Sequence, residues 1–459
     1  MDKFEKLRPV GGLEKISTVR HPLKYYFNVA MSANYTIPDP YTLPLVDYIY
    51  KALETLINRH PVLSAIPLGE DTEDPYFVRL PEVDLAQPVS FRKRVQSFPE
   101  GDEQDSELES VLQEQHNTGF TAPQPYWRLI IFTDDANDKR FTAAFVFHHA
   151  LGDGTSGKAF HRTFLQALRE TASLKPGEAK QVITPPKTPL LPNLEAIHPL
   201  PISLLYLAKI ILKELLPFGD DPKLWAAAPC QVPVKTNLRN IVFSAAETSA
   251  LVKACRNHDT TVTCALQTAI ARSIFAHIPE DYTRIAMAGA ISCRSWLKEQ
   301  ISDDEMGVWV QEFAETYTRK AVAQQTFPWS EAQRSRQTIQ RELKLQSKNS
   351  SVGLLRYIKD YRKQLYEPKI GKPRKYACEV SSLGVVKTEN AQDAALPQIG
   401  RVVFSQSSSA TGCAIQLSVV TGVDGCLAVA VSFQEGVVDE GLMGKILGRF
   451  KEEVRELCA

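Results

Sequence analysis

The sequence predicts a mixed α/β (α+β) protein of two domains, and three observations predict it. The chain has 459 residues, more than one hydrophobic core ordinarily supports. Runs rich in β-formers alternate with runs of helical periodicity in both halves. A proline-rich stretch separates the halves, with Pro185, Pro186, Pro189, Pro192, Pro199, Pro201, Pro217, Pro222, Pro229 and Pro233, a composition that marks an ordered crossover or linker. The expected division is 1–175, 176–236 and 237–459.

In the first domain Leu45, Ile49, Ala52, Leu53 and Leu56 recur at helical spacing. That helix must stop near His60, because Pro61 drives the residue before it out of the helical region. Tyr126–Thr133 and Phe141–Phe147 are two β-rich runs around the polar turn Asp134-Asp135-Ala136-Asn137-Asp138, which reads as a hairpin. A helical stretch follows Asp153-Gly154 through Phe160, Phe164 and Leu168. Beyond the crossover, Asn240–Ser244 and Arg284–Ile291 read as strands, Glu247–Arg256 and Cys264–His277 as helices. Ala414–Val420 and Leu427–Phe433 flank Thr421-Gly-Val-Asp-Gly425, a hairpin signal, and Asp439 is placed to cap a final helix through Leu457.

Lysine plus arginine equal aspartate plus glutamate at 53 each, so no overall field directs the chain to nucleic acid. The first residues are charged and lack a signal-peptide core, which makes a cytoplasmic protein the expectation. All eight cysteines lie between Cys230 and Cys458 without a C-x-x-C, a usage that fits reduced, mostly buried thiols better than a zinc site or a disulfide framework. The apolar segment 202–216 is interrupted by Lys209, Lys213 and Glu214 and is too short to span a bilayer. Its apolar face suits packing on the protein first, and peripheral contact with a membrane surface second.

The chemistry concentrates in His148-His149-Ala150-Leu151-Gly152-Asp153-Gly154, where the predicted strand Phe141–Phe147 ends. An imidazole of ordinary pKa near 6.5 can accept a proton at neutral pH, so His149 is a candidate general base. For His148 the reading is structural, a hydrogen bond at the strand end. Asp153 either touches the His149 ring or braces the loop against an arginine, and the spacing does not choose. Gly152 and Gly154 leave the backbone free to turn and its amides approachable. A metal site of His148, His149 and Asp153 is a rival, disfavoured because adjacent residues of an extended chain point to opposite sides. No G-x-S-x-G, G-x-x-x-x-G-K-[ST] or G-x-G-x-x-G is present, so serine hydrolysis, nucleotide hydrolysis and dinucleotide redox chemistry lack their cradles.

His148 to Gly154 resembles the HHxxxDG signature shared by condensation domains, plant BAHD acyltransferases and fungal alcohol acetyltransferases. The opening Arg8-Pro-Val-Gly-Gly-Leu-Glu14 with Arg20-His21-Pro22-Leu23 is similar to the start of the fungal alcohol acetyltransferases, Arg8, Gly12 and Glu14 being the matching positions. Arg59-His60-Pro61-Val62-Leu63 resembles the R-H-x-x-L segment of condensation domains. Ile291-Ser-Cys-Arg-Ser-Trp-Leu297 with Asp303-Asp-Glu-Met-Gly-Val308 resembles the arginine-containing strand and glycine segment of the second domain. Val380-Ser-Ser-Leu-Gly384 is similar to the S-N-x-G element, with Ser382 where asparagine often stands, and Phe433–Asp439 is similar to the C-terminal strand end. The plant D-F-G-W-G element is absent.

The resemblance implies two domains of the chloramphenicol-acetyltransferase type, with a central tunnel and the active site at their interface. It implies His149 as base, His148 as support, Asp153 and Gly154 as organisers of the loop, and Arg59 as the partner of Asp153. Backbone amides and Ser382 would face the oxyanion. The implied activity is acyl-coenzyme A dependent O-acylation with acetyl-coenzyme A as co-substrate, no permanently bound cofactor and no metal. The acceptor would be a small alcohol or an amine, and the chain a monomer. N-acylation, condensation with a carrier-bound thioester, and thioester binding without turnover are the alternatives.

Overall fold

A computed structural model describes residues 4–134, 139–215, 221–389 and 393–458. Positions 135–138 of the expected hairpin turn and position 216 of the apolar segment lie outside the described residues.

Two large sheets organise the chain. The first runs in the order Gln398–Gln406, Val29–Thr36, Arg140–Phe147, Trp127–Thr133 and Val89–Lys93. The second runs Thr236–Phe243, Leu427–Gln434, Ile415–Thr421, Cys378–Val385, Arg284–Ser292 and Val310–Thr318. The expected hairpin forms, with Trp127 opposite Phe147 and Thr133 opposite Phe141. On its other side Arg140–Phe147 pairs with Val29–Thr36, so the strand that leads to the histidines is internal. It is buried from Phe141 onward, and such two-sided burial explains why its sequence is continuously apolar.

Helix Leu45–Arg59 buries the expected stripe, Leu45, Ile49, Ala52, Leu53 and Leu56, and ends before Pro61. Helix Gly154–Glu170 lays Phe160 on Phe145 of the histidine strand, ring centroids 3.7 Å apart and nearly parallel. In the second half, helices Val262–His277 and Glu440–Glu456 pack together. Asp439 caps the latter by accepting from Leu442 N at 2.9 Å. The last hairpin pairs Thr421 with Leu427.

Strand Gln398–Gln406 departs from a clean division at the crossover. It comes from the second half of the sequence yet completes the first sheet, antiparallel to Val29–Thr36. The expected span 237–459 therefore contributes to both sheets. The crossover itself is tied down: Arg79 donates to the carbonyls of Pro186 at 2.6 Å and Thr188 at 2.8 Å, and the Trp309 indole donates to Pro192 O at 3.2 Å.

Helix Leu204–Leu215 does not pack its apolar face on the protein. Leu204 and Leu205 are 85% and 84% exposed, and Ile211 and Leu212 are about half exposed. At 100° per residue these side chains and Ala208 form one stripe with Lys209 at its edge. No described helix is long and apolar enough to cross a membrane. All eight cysteines are free, seven of them buried.

Candidate active site

The histidine strand makes its last ladder contact where His148 N donates to Tyr126 O at 2.9 Å. The chain then turns and enters helix Gly154–Glu170, whose N-cap is Asp153. The pleat sends the two histidines to opposite sides, and their surroundings divide their roles.

His148 is buried in a polar cluster. Its Nδ1 accepts from Ala150 N at 3.1 Å, which puts the proton of the neutral ring on Nε2. That atom lies 3.2 Å from Glu70 Oε1, off the line of a strong hydrogen bond. His21 mirrors it: Nε2 accepts from Phe120 N at 2.9 Å, and Nδ1 lies 3.0 Å from Glu70 Oε2. The Tyr126 hydroxyl donates to the same oxygen at 3.1 Å. Burial alone would raise the Glu70 pKa, but His148 and His21 outweigh it and bring it to about 2. Burial lowers the pKa of His148 despite Glu70. His21, Glu70 and His148 place possible ligand atoms within 4.8 Å of one another. The two backbone N–H donors, however, leave both rings protonated on the sides facing Glu70, where a metal would need lone pairs. The donor set fits a brace for the histidine loop.

His149 faces the other way, into a cavity of about 510 Å³ between the two sheets. The first sheet contributes Val29, Phe404 and Gln406 to its wall, and the second contributes Gly289, Gln311, Glu379 and Gln416. The His149 ring is half-buried, 5.9 Å from the Tyr26 ring, and its Nδ1 is buried without a hydrogen-bond partner. Burial, followed by the charge of Arg20, lowers its pKa to about 4. The ring is therefore uncharged at neutral pH.

Asp153 does not touch His149. Its Oδ2 accepts from Arg294 Nη1 at 2.6 Å and Trp309 N at 3.0 Å, and its Oδ1 accepts from Ser156 N at 3.1 Å. Both partners of the ion pair are almost fully buried. Burial would raise the Asp153 pKa, but Arg294 and these donors lower it. The expected Arg59 pairing is corrected: Arg59 is exposed at the end of its helix and, among the described residues, donates to Gln166 Oε1 at 3.4 Å and not to Asp153. The arginine comes instead from the segment after strand Arg284–Ser292, so the pair joins the two halves. The metal rival of His148, His149 and Asp153 fails on the same geometry, because the three side chains face Glu70, the cavity and Arg294.

The glycines act through space rather than through dihedral freedom. Neither Gly152 nor Gly154 has a positive φ. A Cβ on Gly152 would lie 2.6 Å from Ser156 Cβ, and one on Gly154 would lie 2.7 Å from Leu383 Cδ2. The expectation for Ser382 is also corrected. Glu379 and Ser381, two residues apart on strand Cys378–Val385, line the cavity, and the pleat turns Ser382 away. Sequence reasoning missed Glu70, whose surroundings carry no motif. It quoted Arg294 in a matching segment without linking it to Asp153.

A family model described as alcohol acetyltransferase matches residues 9–454. A protein of Aspergillus fumigatus named probable alcohol acetyltransferase crmB is 33% identical over 456 residues, covering 95% of this chain and 96% of that one. Probable alcohol acetyltransferase FCK4 of Fusarium pseudograminearum is 24% identical, covering 95% and 92%. Among solved structures, the TRI3 trichothecene 15-O-acetyltransferase of Fusarium sporotrichioides superposes with a TM-score of 0.71 at 15% identity, over 98% of this chain and 95% of that one. The condensation domain of the monacolin K polyketide synthase MokA gives 0.62 at 11% identity, over 99% and 98%. The sheets and helices are those of the acetyltransferase and condensation-domain fold, and the chain belongs to the alcohol acetyltransferase family.

Proposed function

We propose that this protein transfers an acetyl group from acetyl-coenzyme A to the hydroxyl of a small molecule, with His149 as general base. The observation that carries the reading is His149 itself, an uncharged imidazole on the cavity wall with an unpartnered nitrogen. The acceptor oxygen attacks the thioester carbonyl as His149 takes its proton. The new C–O bond replaces the C–S bond as the tetrahedral intermediate collapses, and the proton held on His149 passes to the departing thiolate. His148, held by Ala150 N and the Glu70 cluster, fixes the strand end from which His149 projects. Asp153 fixes the other end of the loop through Arg294.

The test is thiol release from acetyl-coenzyme A and longer acyl esters against a panel of alcohols and amines. His149→Ala should lose about 10²- to 10⁴-fold in turnover, the usual contribution of a positioned base, with an unchanged melting temperature. A folded variant that keeps wild-type turnover refutes the assignment. Amine turnover above alcohol turnover would move the activity to N-acylation.

The exposed stripe of helix Leu204–Leu215 we assign to peripheral contact with an anionic lipid surface, since Leu204, Leu205 and Leu212 lie exposed on it and Lys209 flanks them. The protein should float with anionic vesicles, and Leu204→Asp with Leu205→Asp should abolish this. Wild-type protein left at the bottom of the gradient refutes it.

A further inference from the structure

The cavity wall beyond His149 carries two buried amide oxygens without a partner, a buried amide nitrogen without one, Gln406 Nε2, and a carboxylate without a counter-charge among the described residues. Gln311 and Gln416 are 3% and 4% exposed, and the side-chain oxygen of each is buried without a partner. Glu379 faces the same space and forms no ion pair among the described residues; the Cys413 thiol is 4.0 Å from its Oε2. The Gln416 and Gln406 amides lie close enough to favour its charged form, yet burial and then Glu312 hold its pKa above the ordinary value. Gln406 uses its oxygen to accept from the Tyr26 hydroxyl at 3.3 Å.

Buried acceptors cost free energy until a donor reaches them. Three cations line the cavity, Arg20, Lys369 and Lys375, and none forms an ion pair with Glu379 among the described residues; Arg20 donates to Ile16 O at 3.2 Å and Ser17 Oγ at 3.3 Å and lies over the Tyr26 ring at 4.3 Å. A plain alkyl alcohol would shield Glu379, Gln311 and Gln416 from water and supply nothing in return. A molecule with several O–H or N–H groups would satisfy them.

We propose that the acceptor is a donor-rich molecule, a polyol or an amino alcohol rather than an alkyl alcohol, which presents at least two hydrogen-bond donors to Glu379, Gln416 and Gln311 while its reacting hydroxyl meets His149. This rests on the reading of His149 as the base. Sites built to pair a substrate donor reject analogues that lack it far more strongly than apolar pockets reject an added methylene.

The test compares thiol release from acetyl-coenzyme A with a pentitol, a five-carbon amino alcohol and 1-pentanol, with His149→Ala as blank. At least about tenfold higher kcat/KM for the pentitol or the amino alcohol than for pentanol supports the proposal, and which of the two leads tells neutral donors from a cation. Pentanol turnover equal to or above both overturns it. Glu379→Gln should reduce the donor-rich to alkyl ratio by about tenfold, and an unchanged ratio counts against Glu379. Calorimetric titration of the pentitol and the amino alcohol without acetyl-coenzyme A separates the two readings. Binding weakened by Glu379→Gln but no thiol release with any acceptor sustains the donor site and refutes acyl transfer; thiol release with pentanol alone does the reverse.

Discussion

Arg294→Met removes the charge that pairs with Asp153 and keeps most of the side-chain volume. The carboxylate would retain Trp309 N and the Ser156 donors, but it would stay buried without a counter-charge. Breaking one side of a buried ion pair typically costs about 3–5 kcal/mol. Asp153→Ala should cost at least as much, because it strands Arg294 and also removes the cap of helix Gly154–Glu170, itself worth about 1 kcal/mol. Arg59→Ala, at an exposed site, should stay within about 0.5 kcal/mol. Urea unfolding followed by tryptophan fluorescence reads all three, and Trp309 beside the pair reports on it directly. In the double variant the costs should fall short of their sum by about 1–3 kcal/mol, as for groups in contact. Strictly additive costs, or Arg59→Ala as damaging as Arg294→Met, would refute the pairing.

Stability should fall in mild acid, before ordinary carboxylates titrate. Burial holds His60, His149 and His161 near pKa 4 and His116 near 3, whereas an unfolded ring protonates near 6.5. The unfolded chain therefore gains protons first, so stability is full above pH 6.5 and declines toward pH 4, each ring costing about 1.4 kcal/mol per pH unit; a melting temperature flat from pH 7.5 to 4.5 would contradict this. Glu70, depressed from 4.5 to about 2, adds a loss only as pH falls through that lower range. Initial-rate kcat/KM should show its acid limb well below 6.5, following His149, and a limb at 6.5 would mean a solvated ring. Gly154→Ala should cost about 1–3 kcal/mol through overpacking against Leu383, read as a lowered melting temperature, and an unchanged value would show that Leu383 yields freely.

The strands, helices and hairpins around the histidines were legible because local signals and burial agree there: an apolar internal strand, a proline stop, an Asp cap. The motif singled out His149 and Asp153, although its spacing left open whether Asp153 touches the ring or braces the loop, and the brace was implied by the resemblance alone. The partner of Asp153 was not, because its ion pair spans 141 residues and either Arg59 or Arg294 satisfies a sequence that records no distance. Ser382 was misplaced by a single residue, which in a strand is the whole width of the sheet. Glu70 carries no local signal; it matters only because two histidines from separate segments converge on it.

Strand Gln398–Gln406 has a consequence for how the chain is made. During synthesis the first sheet has its histidine-strand hairpin early, but Val29–Thr36 keeps one bare edge until position 406 has left the ribosome. An unpaired edge is a template for the wrong neighbour. Cutting the gene at the crossover would leave that edge permanently open, so the amino-terminal half made alone should aggregate, and a synthetic Gln398–Gln406 peptide is the natural rescuer.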